Sequence, residues 1–261
     1  MLIRSVVAAL SGALALSALV VPSAHADAGE GDTQVTEVAV NDGKPVVVGA
    51  TGAKTFTLRI TARDDSGISD AYGWLYHGPF DNPDGFAGPG SEAPLTCTPV
   101  SATVTDSVCT ASITVTPVSS LTNTHAGTWH VWTSVDAKDG DFVQKDSAAA
   151  FLMKRAARLT ADASPEPVAK GEVITIKGAL SRADWHNGSY PGYKGQPVKL
   201  QFRKAGTTTY STVKTVTSGT GGTLKTTTTA VADGYWRWSF TGTSTTGAVN
   251  ATGDYVYVTA G

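Results

Sequence analysis

The chain has 261 residues, a formal net charge of −2 and only 16% charged side chains, a balance too mild to draw it to nucleic acid or to an anionic membrane surface. Thr, Ser, Val, Gly and Ala dominate its composition, which favours short strands joined by turns over long helices. The length allows one large or two ordinary domains, and a β-sandwich of about 100 residues is the natural unit at this density of turn residues.

At the N-terminus a single Arg4 precedes an unbroken apolar run through Val21, and Pro22-Ser23-Ala24-His25-Ala26 ends in a small-x-small pattern that fits the pockets of signal peptidase. Residues 1–26 are therefore expected to be a cleaved signal peptide, with the mature chain starting at Asp27. A membrane anchor is the alternative, but the run is too short, ends in Pro22 and lacks a positive stop-transfer flank. The expectation is a secreted, extracellular protein with no membrane anchor, beginning with a disordered tail over residues 27–32.

The first β-sandwich is expected over residues 33–155. Phe56, Leu58, Ile60 and Ala62 alternate with Thr55, Thr57, Arg59 and Thr61, and Trp129, Val131, Thr133 and Val135 repeat the period of two. Each stretch runs into an acidic turn, Asp64-Asp65-Ser66-Gly67 or Asp136-Ala137-Lys138-Asp139-Gly140-Asp141. Between Gly78 and Pro94, four prolines and several glycines predict a long surface loop suited to binding, with Phe80 and Phe86 available for a protein contact. Cys97 and Cys109 are the only cysteines. In an oxidising compartment they pair as a structural disulfide rather than a metal site, and a redox pair would need closer spacing or an activated thiol. Cys109, Ala111, Ile113 and Val115 share one strand face, so the bond should lie against the core.

A second sandwich is expected over residues 156–261, after Lys154-Arg155-Ala156-Ala157 interrupts the alternation. Ile174 and Ile176, then Val198, Leu200 and Phe202, then Trp236, Trp238 and Phe240 should point inward. Lys199, Gln201 and Arg203, with Tyr235, Arg237 and Ser239, should point outward.

The stretches Ala163-Ser164-Pro165-Glu166-Pro167-Val168, Tyr193-Lys194-Gly195-Gln196-Pro197-Val198-Lys199-Leu200-Gln201-Phe202-Arg203-Lys204 and Asp233-Gly234-Tyr235-Trp236-Arg237-Trp238-Ser239-Phe240-Thr241-Gly242-Thr243-Ser244 resemble a family of secreted actinomycete (Streptomyces-like) proteins with two Ig-like domains. Gly127-Thr128-Trp129-His130-Val131, leading to Asp136-Ala137-Lys138-Asp139-Gly140, is similar to the late strand and turn of bacterial Ig-like and PKD-type modules. The resemblance implies an all-β fold of two tandem Ig-like β-sandwich domains and an extracellular address. Some members are labelled calcium-binding, but no motif here matches specific ligands, and a fold does not hand over a function.

Chemistry is sparse. His77, His125, His130 and His186 stand in no zinc-ligand spacing, and the Gly-x-Ser-x-Gly nucleophile elbow is absent. Glu92, Glu166 and Glu172 lie in turn-rich or strand-opening contexts, where a solvated role is the default against a glycosidase pair. The chain thus reads as non-catalytic, working in extracellular recognition or at the envelope, with an extracellular protein or a glycan as partner and no nucleic acid. Calcium is the one cofactor to weigh: Asp64 and Asp65 with Asp136, Asp139 and Asp141, joined by Asp70, can offer a hard cation its oxygens, although Asp-Gly is also a common hairpin turn with no ligand. For carbohydrate or cell-wall binding the candidates are Trp132, Trp185, Tyr190 and Tyr193, together with the strand face of Tyr72, Trp74 and Tyr76. Each has a bland alternative in the core of a sandwich.

Overall fold

The computed structural model describes residues 27–90, 93–100 and 105–260. The expected signal peptide lies outside the described residues, as does Glu92. Among the described residues no helix is long and apolar enough to cross a membrane.

The first half contains β1 (Ala28–Glu30), β2 (Gln34–Val40), β3 (Val46–Val48), β4 (Lys54–Arg63), β5 (Ile68–His77), β6 (Gly85–Ala87), β7 (Thr96–Pro99), β8 (Asp106–Val115), β9 (Gly127–Ala137) and β10 (Phe142–Arg155). One sheet runs β2-β4-β8-β7, and the other runs β1-β10-β9-β5-β6 with β3 parallel to β10. This two-sheet layout, with the first strand split between the sheets, is that of an Ig-like sandwich. The alternation read from the sequence fills the space between the sheets. Phe56, Leu58, Ile60 and Ala62 are buried against Leu75, Trp129, Val131 and Val135. Gly73 also faces inward, where a Cβ would come within 2.8 Å of Leu58 Cδ2, so glycine lets the two sheets close. Cys97 and Cys109 sit directly opposite each other on β7 and β8 and form the disulfide, with Cys109 fully buried.

Residues 27–32 are not the disordered tail expected. Ala28–Glu30 pair antiparallel with Phe142–Gln144, and Lys145 Nζ reaches Asp27 Oδ2 at 2.8 Å, so β10 offers a free edge that the N-terminus covers.

The second half contains β11 (Ala157–Leu159), β12 (Asp162–Ser164), β13 (Val168–Ala169), β14 (Val173–Arg182), β15 (Pro197–Lys204), β16 (Ser211–Thr217), β17 (Thr223–Thr229), β18 (Gly234–Phe240), β19 (Val249–Asn250), β20 (Asp254–Val256) and β21 (Val258–Thr259). β14 is flanked by β11 and β12 on one side and by β17 on the other, and it faces the sheet β16-β15-β18 with β19 and β20 beside β18. β13 pairs parallel with β21, repeating the β3–β10 arrangement of the first sandwich. Ile174, Ile176, Val198, Leu200, Trp236, Trp238 and Phe240 are buried as their alternation predicts, whereas Phe202 is half-buried and stacks on Trp236 at 4.6 Å. Trp238 lies over Gly178, where a Cβ would sit 2.6 Å from its Cδ1, and donates its indole N–H to Lys177 O at 3.0 Å.

The two sandwiches meet through more than the chain passing from β10 to β11. Ala183 and Trp185, from the loop after β14, belong to the core of the first sandwich. Arg155 is 7% exposed and donates from Nε to Ala183 O, with burial and the nearby Arg182 charge pushing its pKa down. The backbone N–H of Ala156 donates to Val48 O, that of Ala183 to Ala156 O and that of Gly247 to Arg155 O. Asp184 accepts hydrogen bonds from Asn123, Asn187 and the N–H groups of His186 and Asn187.

Candidate functional site

β5 and β9 place their inward residues in the core, so the residues between them form a row on the outer face of the sheet. Along β5 these are Asp70, Tyr72, Trp74 and Tyr76, and directly opposite on β9 stand Asp136, Ser134, Trp132 and His130. Trp74 and Trp132 are cross-strand partners with ring centroids 5.0 Å apart, and Trp74 is 48% exposed. Trp132 is half-buried, so the pair presents one exposed ring, which is unusual for a residue type that normally buries most of its area.

Pro89, Gly90 and Ala93, from the stretch after β6, build the other wall. β6 pairs with Leu75–His77, Gly88 lies against the Trp74 Cβ, and the N–H of Leu95 binds Ala71 O at 2.7 Å on the edge of β5. Tyr72, Gly73, Trp74, Trp132, Pro89, Gly90 and Ala93 thereby enclose a cleft of about 580 Å³, within the usual size of a small-ligand site. Phe86, on β6, is 63% exposed, and Phe80 packs edge-on against Tyr76 at 5.5 Å.

The ends of the row are polar. At one end Tyr76 donates to Asp146 O at 2.9 Å and is stacked by His130, whose Nδ1 lies 3.0 Å from Ser147 Oγ. Burial, and then the charge of His77, lower the His130 pKa, which keeps the ring neutral at neutral pH. At the other end Asp70 and Asp136 face each other across the strands, and burial followed by the Asp70 charge raises the Asp136 pKa. The row thus offers flat apolar rings in the middle, with hydrogen-bonding groups at both ends.

The acidic turns divide differently from expectation. Asp64 and Asp65 do converge with Asp139 and Asp141, but Asp136 lies on the outer face of β9 with Asp70, because strand alternation continues through Val135 and carries residue 136 outward. The convergence also includes Asp32, a residue assigned from sequence to a disordered tail. Carboxylate oxygens of Asp32, Asp64 and Asp141 lie within 4.8 Å of one another, as do those of Asp64, Asp65 and Asp139. Asp64 is buried and accepts from Thr33 Oγ1 at 2.6 Å, Ser66 N at 2.8 Å and Ser66 Oγ at 2.6 Å. Burial opposes its ionisation, yet these hydrogen bonds outweigh it and hold the carboxyl below its ordinary value. Asp32 shifts upward, through desolvation and then through the charges of Asp65, Asp64 and Asp141.

Of the four aromatic ligand candidates, only Trp132 lines the cleft. Trp185 cannot serve, being fully buried in the first sandwich, where its indole N–H binds Val48 O. Tyr190, at the joint, and Tyr193, on the second sandwich, are half-buried and carry stacked guanidinium groups. Arg158 lies 3.6 Å over the Tyr190 ring and Arg182 4.1 Å over Tyr193, and Tyr190 Oη accepts from Ala50 N at 3.2 Å. Tyr190 thus joins the two sandwiches, whereas Tyr193 packs edge-on against Phe240 at 6.0 Å in the core of the second.

No family model and no curated protein matches the chain. Among solved structures it is similar to the D0–D1 domain of intimin, at 15% identity and a TM-score of 0.28 over 85% of this chain and 98% of that one. The D00–D0 domain of intimin gives 14% and 0.28 over 84% and 99%. The titin domains Z1Z2 in complex with telethonin give 12% and 0.23 over 88% and 97%.

Proposed function

We propose that the protein is an extracellular recognition module with no catalytic role, and that its cleft takes a neutral carbohydrate chain. The observation that carries this reading is the Trp74–Trp132 pair, with Trp74 exposed, beside Tyr72 and the Pro89–Gly90 wall. Sugar rings present flat C–H faces that pack on aromatic rings, while their hydroxyls need polar partners, which Asp70, Asp136, Ser134 and His130 supply at the margins. A glycan array probed with the protein and with Trp74→Ala, in calcium and in EDTA, tests it. Binding to neutral glycans that Trp74→Ala abolishes is the expected result. A silent array, with an extracellular protein retained on the same face in a pull-down, would replace the sugar by a protein partner.

Calcium is the second reading, supported by the convergence of Asp32, Asp64, Asp65, Asp139 and Asp141 from three separate segments. Carboxylates from neighbouring sandwich loops are suitable ligands for a hard cation. A bound ion would tie the N-terminal strand to the two acidic turns without touching the cleft.

A further inference from the structure

The outer face of the second sandwich differs in chemistry from the aromatic row of the first. Lys199, Gln201 and Arg203 on β15 stand opposite Ser239, Arg237 and Tyr235 on β18, and Tyr255 on β20 stands opposite Tyr235. Arg203 lies 4.0 Å over the Tyr235 ring, Arg237 lies 3.7 Å over Tyr210, and Tyr235 and Tyr255 pack at 5.0 Å. Gln201 accepts from Arg237 Nε at 2.9 Å, and Thr207 O accepts from Arg203 Nη1 at 2.6 Å. These contacts fix both guanidinium planes while using only part of their five N–H donors each.

Among the described residues no carboxylate lies within ion-pair distance of Lys199, Arg203 or Arg237. Asp233 borders Tyr255 and accepts from Val258 N, and Asp254, beside Tyr255 on β20, accepts from Ala163 N. The protein as a whole is slightly acidic, so three unpaired cations on one face are a local concentration. Lys199 and Arg203 stand toward the two ends of β15 with Arg237 on β18 level with the midpoint between them, a spread along the strands that suits an extended chain of charges better than one small anion. The ground between and beside them is hydroxyl and amide, from Thr212, Thr215, Ser239 and Asn250, which suits a hydroxyl-rich polymer and not an apolar surface.

We infer that this face binds a carboxylated polysaccharide, with Arg203 and Arg237 each taking a carboxylate through paired N–H donors and the tyrosines supporting the sugar rings. The site is independent of the aromatic cleft, and the two have opposite ligand preferences.

The test is the affinity of the protein for polygalacturonate and for its fully methyl-esterified form, which keeps the backbone and loses the charge. Binding should be confined to the free acid and should weaken as salt rises. Arg203→Gln with Arg237→Gln should weaken it at least about tenfold, in line with the loss of charge-assisted hydrogen bonds, and Trp74→Ala should leave it unchanged. Arg203→Lys with Arg237→Lys, which keeps the charge and loses the planar fork, should fall between, and an unaltered melt certifies the fold of each variant. Equal binding of the ester, indifference to the Gln variants, or equal capture of single-stranded DNA of matched charge would each overturn the inference. Loss of neutral-glycan binding in Trp74→Ala, with polygalacturonate retained, would separate this site from the cleft.

Discussion

Trp185 donates its indole N–H to the carbonyl of Val48 at 3.2 Å, and so a loop of the second sandwich completes the core of the first. Ala183 accompanies it, and Asn123 Oδ1 accepts from the backbone N–H of Trp185 at 2.9 Å. Trp185→Ala should cost about 3–5 kcal/mol, the usual range for removing a large buried aromatic side chain. The whole protein should melt in one transition, because the loop that carries Trp185 belongs to the second sandwich by sequence and to the core of the first by packing, so the first loses its packing once the loop withdraws. Two resolved transitions in calorimetry, with only one moved by Trp185→Ala, would contradict this. A fragment of residues 158–259 should retain its own core of Trp236, Trp238 and Phe240 but show red-shifted fluorescence from an uncovered Trp185.

The disulfide joins neighbouring strands at the edge of one sheet, with Cys109 in the core and Cys97 half-buried. No thiol should titrate in the native oxidised protein. Cys109→Ser should lower stability by about 2–5 kcal/mol, combining loss of the cross-link with a hydroxyl left in an apolar setting. Denaturant titration with and without reductant measures both.

Acid should weaken the joint between the sandwiches. The Asp184 carboxyl is held far below its ordinary value by the side chains of Asn187 and Asn123 and by backbone N–H groups. A depressed carboxyl contributes stability that is complete above its unfolded pKa and is lost as pH falls through its folded one. The melting temperature should therefore drop from about pH 5 downward. In Asp184→Asn the drop should be shallower and the neutral-pH stability lower.

Asp32 has the opposite sign. Its pKa is raised by desolvation and by Asp65, Asp64 and Asp141, so its ionised form is disfavoured in the fold. Asp32→Asn should stabilise the protein at neutral pH in EDTA, and the gain should vanish as pH falls through the raised pKa. In saturating calcium the ranking should reverse. A ligand bound only to the folded state adds about 2.7 kcal/mol at a hundredfold excess over Kd, and Asp139→Asn should lose that gain. A melting temperature indifferent to millimolar calcium in the unsubstituted protein would leave these residues as turn formers.

Much of this structure can be read from alternation alone. The inward sets on β4, β9, β15 and β18 and the pairing of Cys97 with Cys109 follow from a period of two and from there being only two cysteines. The same rule places Asp136 on the outer face, since it follows buried Val135, although an acidic turn of similar composition suggests otherwise. Tyr72 and Trp74 are visible as one strand face, but their partnership with Trp132 depends on strand register, which sequence spacing does not encode. Trp185 is the least legible of the aromatic candidates. Trp185-His186-Asn187-Gly188 has the composition of an exposed turn, and only the approach of a second domain turns its indole into core. Asp32 is illegible for a related reason: it precedes the first clear alternation and is held by its backbone N–H donating to the distant Asp141 carboxylate.

The loop carrying Trp185 also sets a schedule for making the protein. The first sandwich has all of its strands once Arg155 has emerged, yet it lacks a wall of its interior until residue 185 follows, so its nascent form exposes a gap lined by Val48 and its neighbours. Chain growth proceeds at roughly 5–20 residues per second, which makes that exposure a matter of seconds during synthesis. A nascent chain stalled between the two points would be the species that chaperones hold and proteases cut, and release of the stall would seal the first domain and begin the second in a single step.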